Sequence, residues 1–487
     1  MTEISSPAPS ASPAPSMLDK GGRSIVALMA ALLVAIFAFQ LNASMMSPVL
    51  ATMSKELHTT DAQVGLTQTV FFTAAALFSL FLPRLADLVG RKKVLTGILI
   101  STILGCVISA LAPDVNVLMV GRILQGAAGP VVPMCLIMLR VRVTEEKRYA
   151  KLMAILTSVN GGIAGVDALL GGWLVGKYGF RSVFWTMAGI AVVAVIMIIF
   201  AAEESHAEET PRMDWLGVVT LGIAFLSAYL AINEIENLAS GVSKPSSANL
   251  ILIAMLVIVA VVFFVVFWNV EDKSAAPLVS THYMKQRRTW GLLSCTLLTM
   301  TGVFALTNGV VPQLAQDTKA GANLGASVVS FATLTPYAII GLLFGPVAGM
   351  LAAKFGYRLV LRAGILLSMV GLLFGVYVAG VPSVWALVVF SLVIGVSYAG
   401  IANIMLNGLG IVLSPKDNPG YLPGMNAGAF NLGAGLSFAI LYAVMTNVAR
   451  SNGATDGYMA SMVAGIVLLA LAFACSFLIP DPKEVNK

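Results

Sequence analysis

The sequence predicts an all-α membrane protein of fourteen transmembrane helices, made of two six-helix halves that repeat one another and two helices inserted between them. Three observations predict it. Only 11% of the 487 residues are charged and 58% are hydrophobic, where soluble domains carry roughly 25% charged residues. Fourteen apolar runs each approach the length of about 20 residues that a helix needs to cross the hydrocarbon. A loop pattern near residue 85 also returns near residue 351.

The runs are apolar throughout and do not alternate, which excludes a lipid-embedded β-barrel. Backbone groups must then be satisfied within helices. Residues 1–22, with "SSPAPSASPAPS" among them, are expected to form a disordered cytoplasmic tail. The first apolar run begins near Ser24 and is too long for the core of a signal peptide. The spans are predicted at 25–50, 62–83, 94–112, 116–139, 150–174, 182–201, 214–234, 248–270, 289–314, 326–352, 359–380, 384–411, 421–447 and 457–479. All four cysteines fall inside these runs and read as small buried hydrophobes, with no disulfide or metal spacing.

An even count puts both termini on one side. With that side cytoplasmic, the inner segments hold 22 Lys and Arg residues and the outer segments hold 6, with Arg122 left inside a span. Positive charge collects on the cytoplasmic face, so the net charge of +6 is topology and not nucleic-acid binding. The expected location is the cell membrane, multi-pass, with both termini cytoplasmic. "LPRLADLVGRKKVL" (82–95) joins spans two and three, and "AGMLAAKFGYRLVL" (348–361) joins spans ten and eleven with the same pattern. This gives a half at 23–203, two inserted helices at 204–274, a half at 275–480 and a short tail at 481–487. Repeats so related place a substrate site between the halves near the midplane.

Three stretches carry unusual chemistry. In "RLADLVGRKK" (84–93), Gly90 permits a tight turn, and Asp87 can face a helix N-terminus or a neighbouring arginine, with Arg91 and Lys92 following. In "GRILQGAAGP" (121–130), Arg122, Gln125, Gly126 and Gly129 share one helical face. Its glycines allow a neighbouring helix to approach closely, and its arginine cannot shed its proton. "NGGIAGVDALLGGWL" (160–174) holds a small-residue stripe and Asp167, a charge costing about 2.5–3.5 kcal/mol near a bilayer centre.

At these stretches the sequence resembles the major facilitator superfamily, and specifically its fourteen-span drug:proton antiporter branch. The resemblance implies the major facilitator fold, and a gating loop in which Asp87, Gly90, Arg91 and Lys92 match the family's residues. It implies that 121–130 is the family's Arg-x-x-Gln-Gly motif and that 160–174 stands where the antiporter motif lies. Pro83, Leu88 and the Asp167–Ala168 pair depart from the family patterns, and span one lacks the aspartate usual in the branch.

Asp167 lies roughly 10 Å below the outer boundary, and Arg122 on the preceding span roughly 12 Å. Equal depth leads us to expect an ion pair between them, either broken by a proton or cation during transport or permanent. Gln40, Asn42, Ser44 and Ser47 on span one are candidate cavity residues. So are Gln125, Asn160, Thr301, Asn308, Tyr337, Asn403 and Asn407, any of which can instead serve packing. Glu234 and Glu236 are an outer acidic pair, functional or merely interfacial. Met45, Met46, Phe71 and Phe72 could supply an adaptable apolar wall.

No phosphate-binding loop is present and the three histidines fall in loops, so neither ATP-driven pumping nor enzymatic chemistry is indicated. No cofactor or metal is expected. The reading is a secondary active transporter working by alternating access as a monomer, embedded in lipid, with protons as coupling ion and a small-molecule substrate. Efflux of amphiphilic molecules is the first form of that reading. Proton- or ion-coupled uptake of a small polar nutrient or metabolite is the alternative.

Overall fold

The computed structural model describes residues 24–143, 145, 148–149, 151–153, 155–156, 166–206, 213–239, 246–274, 277–415, 418 and 420–481. Among them the chain is helical throughout, with no strand. The first part comprises α1 (Ile25–Ser44), α2 (Leu50–Glu56), α3 (Asp61–Val89), α4 (Arg91–Leu111), α5 (Val115–Gly126), α6 (Val131–Arg142), α7 (Val166–Tyr178) and α8 (Arg181–Ala201). The insertion is α9 (Trp215–Ala239) and α10 (Ser247–Lys273). The remainder comprises α11 (Thr281–Met284), α12 (Arg287–Ala305), α13 (Val311–Gln316), α14 (Ala326–Ala332), α15 (Leu334–Phe355), α16 (Tyr357–Gly380), α17 (Val384–Ile394), α18 (Asn403–Val412), α19 (Tyr421–Asn452) and α20 (Ala454–Ser476).

Thirteen helices among the described residues, some built from two of these pieces, are long and apolar enough to cross a membrane. The fifth expected span, 150–174, is described only in part, and its helix α7 runs four residues past the expected end. Helix starts follow local chemistry. Thr60 caps α3 by accepting from Gln63 N at 3.2 Å, and Asp114 caps α5 by accepting from Asn116 N and Val117 N at 2.8 and 3.0 Å. Such caps satisfy amides that the helix itself leaves free.

The internal repeat is visible in the backbone. Among the described residues four glycines have positive φ: Gly90 (+123°) and Gly356 (+87°) in the two matching loops 2–3 and 10–11, and Gly179 (+75°) and Gly453 (+107°) in loops 5–6 and 13–14. A side chain at these angles is strained, so each half needs its own glycine at the same two turns. Helix irregularities repeat as well. Span one breaks at 45–49, and span nine carries a π turn at Leu306–Val310. Span four breaks at 127–130, and span twelve carries a π segment at Gly395–Ala402. Broken spans of this kind line substrate paths in membrane carriers.

The two parts of the chain meet along two seams. α3 packs along α19, and α7 packs against α14. One apolar core crosses these seams at the expected outer end, joining Met45, Val49, Val64 and Leu174 to Val311 and Val329. At the opposite end, Leu28, Leu95, Met138 and Ile198 belong to a core drawn from the first part alone. The parts thus share a core at the expected outer end, and along α3 and α19 their contact continues inward to Leu80 and Gly428. The insertion lies outside: α9 and α10 pack on each other, and α10 exposes Leu250, Ile251, Met255 and Ile258, as a lipid-facing helix should.

Candidate functional site

Arg122, on α5, is completely buried. Its Nη1 donates to Gln125 Oε1 at 2.5 Å, its Nη2 to Gln68 Oε1 and to the Asn42 carbonyl at 3.2 Å, and its Nε to the Thr67 carbonyl at 3.5 Å. The guanidinium also lies 4.1 Å from the centre of the Phe71 ring. Gln125 passes the network on, donating to Ser109 Oγ at 3.0 Å. The side chain thus ties α1, α3 and α5 together, with α4 joined through Gln125. Gly126 and Gly129 lie against the α3 backbone at Phe71 and Ala75, the close approach their spacing implied.

Asp167 is 2% exposed and faces α1, where the Ser44 hydroxyl donates to its Oδ2. Its Oδ1 is enclosed, with no hydrogen-bond partner among the described residues. Ser44 also contacts its own helix at the Gln40 carbonyl, 3.0 Å away, and receives Gln40 Nε2 at 3.3 Å. One turn on from Asp167, Gly171 lies against the Met45 carbonyl, and Gly172 against the Ala326 carbonyl of α14.

These contacts correct the expected Arg122–Asp167 ion pair, which is absent among the described residues. Equal depth holds, because the two groups reach Asn42 and Ser44, neighbours on span one. Arg122 meets span one at the Asn42 backbone carbonyl and Asp167 meets it at the Ser44 side chain, each with partners of its own. Arg122 is satisfied instead by neutral oxygens and a ring face, and Asp167 by a hydroxyl.

Other expectations divide. Asn42 is buried, donates to the Ala38 carbonyl at 2.7 Å and receives Cys106 Sγ at 3.7 Å, so its side chain holds helices. Ser47 is buried in the turn after α1, its hydroxyl enclosed and unpartnered. Thr301 donates to its own helix at the Leu297 carbonyl, 2.7 Å away, and is 3% exposed. Gln40 and Tyr337 are half-buried, and Asn407 is exposed, donating to the Asn403 carbonyl at 2.9 Å. Exposed amides within a membrane span face water or protein rather than lipid. Asn160 lies outside the described residues. Glu236 is no surface charge: at 2% exposure it accepts from Thr446 of α19 at 3.2 Å, while Glu234 is half-buried. Cys475 is partly exposed, and the other three cysteines are buried.

The loop expected to gate forms as a turn with a salt bridge. Asp87 Oδ1 meets Arg91 Nη2 at 2.8 Å across Gly90. The free amides at the start of α4 go elsewhere: Lys92 N and Lys93 N donate to the Glu204 carboxylate at 2.9 and 3.2 Å. Glu203 binds Arg142 at 3.0 Å. The pattern search missed Glu203 and Glu204, because their partners lie over sixty residues away. It also missed Gln68, and Asn426, whose amide accepts from Thr296 at 2.6 Å and donates to the Leu406 carbonyl at 3.4 Å, joining spans nine, twelve and thirteen. Apolar surroundings for polar residues in spans two and thirteen were the available signal.

The comparisons with known proteins agree with this architecture. The sequence matches the Major Facilitator Superfamily over residues 32–306 and 292–487. It is 60% identical over 464 residues to the uridine/deoxyuridine transporter of Lactococcus lactis subsp. cremoris (strain MG1363), covering 95% of this chain and 96% of that protein. Multidrug resistance protein 3 of Bacillus subtilis (strain 168) is 24% identical over 291 residues, covering 60% of this chain and 54% of that protein. Among solved structures, the nucleoside transporter NupG superposes with a TM-score of 0.60 at 14% identity, covering 93% of this chain and 100% of that one. A POT family transporter in complex with 5-aminolevulinic acid superposes with a TM-score of 0.66, also at 14% identity, covering 94% and 96%. At that identity the two structures speak for the fold alone. Matched by the family along nearly its whole length, with the helix breaks and glycine turns repeated in its two parts, the chain belongs to the Major Facilitator Superfamily.

Proposed function

We propose that the protein is a secondary active carrier that takes up a nucleoside of the uridine type, coupled to protons, by alternating access. The observation that carries this is the 60% identity, over nearly all of both chains, to a protein named as a uridine/deoxyuridine transporter. Substrate would enter between the half at 23–203 and the half at 275–480, with both termini cytoplasmic. The shared apolar core at the expected outer end supports reading this conformation as closed outward. Asp167 is our candidate proton carrier. It is buried against the Ser44 hydroxyl, with no cation beside it among the described residues.

Drug efflux, the first reading of the sequence, is supported by relatives at 24–27% identity. The sequence also departs from that branch at two landmarks. Span one carries Gln40 and Ser44 without a carboxylate, and span five carries Asp167–Ala168 where Gly-Pro is usual.

Cells lacking their own pyrimidine-nucleoside uptake, and expressing this chain, test the proposal. They should accumulate labelled uridine and lose that accumulation when the proton gradient is collapsed. Extrusion of amphiphilic dyes without uridine uptake would overturn it.

A further inference from the structure

Phe304 and Phe430 meet edge to face with ring centroids 6.0 Å apart. Phe304 also touches Phe72 of the first half at 5.1 Å and Phe438 of α19 at 6.2 Å, so it sits where the halves face each other. Phe72 and Phe438 are fully buried, whereas Phe304 and Phe430 are half-buried. The four rings make a shelf with a closed back and a partly open front.

Asn308 stands one turn beyond Phe304, inside the π turn of span nine. Its Nδ2 donates to the Phe304 carbonyl at 3.1 Å and to Thr307 Oγ1 at 2.9 Å. A carbonyl only accepts, so the amide orientation is fixed and both its N–H groups are committed. Thr307 turns its own hydroxyl proton to the Phe304 and Val303 carbonyls, at 3.1 and 3.3 Å, which leaves it an acceptor toward Asn308. Asn308 is 6% exposed, and among the described residues no donor to its Oδ1 is found. The amide is therefore presented as an acceptor alone, beside an aromatic shelf.

Building on the nucleoside reading, we infer that this corner is the base subsite. The flat base stacks on Phe430, with the nearly perpendicular Phe304 ring against its edge, and its N3–H donates to Asn308 Oδ1. Stacking on an aromatic ring tolerates every base, so the shelf supplies affinity. The acceptor supplies choice: uracil and thymine carry N3–H, whereas cytosine presents a bare N3 lone pair to the same oxygen. A site built around one hydrogen bond rejects the analogue that cannot make it.

The test uses cells expressing the full chain, with initial uptake of labelled uridine competed by unlabelled uridine or cytidine and normalised to the amount of protein in the membrane. In the wild type, cytidine should compete at least 10-fold more weakly than uridine. Thr307→Val removes one acceptor holding the amide and should lower that ratio at least 5-fold while uridine uptake persists. Asn308→Ser is read in its place if that variant is not produced. Phe430→Leu should raise KM for both nucleosides at least 5-fold with the ratio kept, and Phe430→Tyr should restore it. An unchanged ratio in Thr307→Val (or its replacement), or an unchanged KM in Phe430→Leu, overturns the subsite while leaving uridine uptake standing. A wild-type protein that moves no nucleoside removes the nucleoside reading itself, and the subsite with it.

Discussion

Gly172→Ala probes the outer seal at one atom. A Cβ built at Gly172 lands on the backbone carbonyl of Ala326, and a backbone atom cannot rotate aside as a long side chain can. The contact joins α7 to α14, that is, one half to the other, so relief comes from separating them. Forcing a methyl into a packed contact costs about 1–3 kcal/mol. Separated halves do not feel it, so the balance between closed and open outer ends should shift by about 5- to 150-fold toward open. Ser330 is a suitable reporter, being fully buried on α14 with its hydroxyl donating to the Ala168 carbonyl at 2.8 Å. Ser330→Cys should react slowly with a membrane-impermeant thiol reagent applied outside, and at least 5-fold faster when combined with Gly172→Ala. The native cysteines interfere little: three are buried, and Cys475 lies in the last turns of α20, toward the expected cytoplasmic end. An unaltered reaction rate in a double variant that is still folded would refute the reasoning, because the seal would then not lie at this contact.

Other outcomes follow from the same contacts. Asp167→Asn keeps an acceptor for Ser44 but removes the titratable group, so gradient-driven accumulation should disappear while exchange of labelled for unlabelled uridine continues; both are read in the same vesicles. Arg122→Lys keeps the charge but cannot meet acceptors on three helices at once, and should destabilise the protein by about 2–4 kcal/mol, seen as a lower melting temperature in detergent. Gln68→Leu should do the same by about 1–3 kcal/mol, since it leaves the buried guanidinium short of one acceptor. Glu204→Ala frees the first amides of α4 and should cost about 1 kcal/mol in the same melting assay.

The parts of the fold governed by local chemistry were legible in the sequence. Apolar run length gave the spans, Gly90 gave its turn, and the repeated loop gave the two halves, which the matching turns at Gly179 and Gly453 then extended. Glycine spacing at Gly126 and Gly129 also foretold a close helix contact. The site was legible only in part. Rise per residue gives depth along a span, which led to the expected Arg122–Asp167 pair, but sequence does not say which neighbours each side chain turns to. Glu236 read as one of an outer acidic pair, functional or interfacial, because nothing local reveals that α9 lies beside Thr446. The helix breaks at 306–310 and 395–402 were missed for a similar reason. Ser437, more than a hundred residues away, accepts the amide of Ala305 at 2.8 Å and helps support the first of them. Substrate was the least legible feature, since the motifs that carried the resemblance, in 84–93, 121–130 and 160–174, do not specify a cargo.

Purified protein in sealed vesicles, given labelled uridine with the outside made acidic relative to the inside, offers the most direct measurement. Uridine should concentrate inside well above its external level, and reversing the gradient should drive it out. Movement indifferent to both gradients, or no uridine movement by protein that is demonstrably folded, would contradict proton-coupled nucleoside uptake.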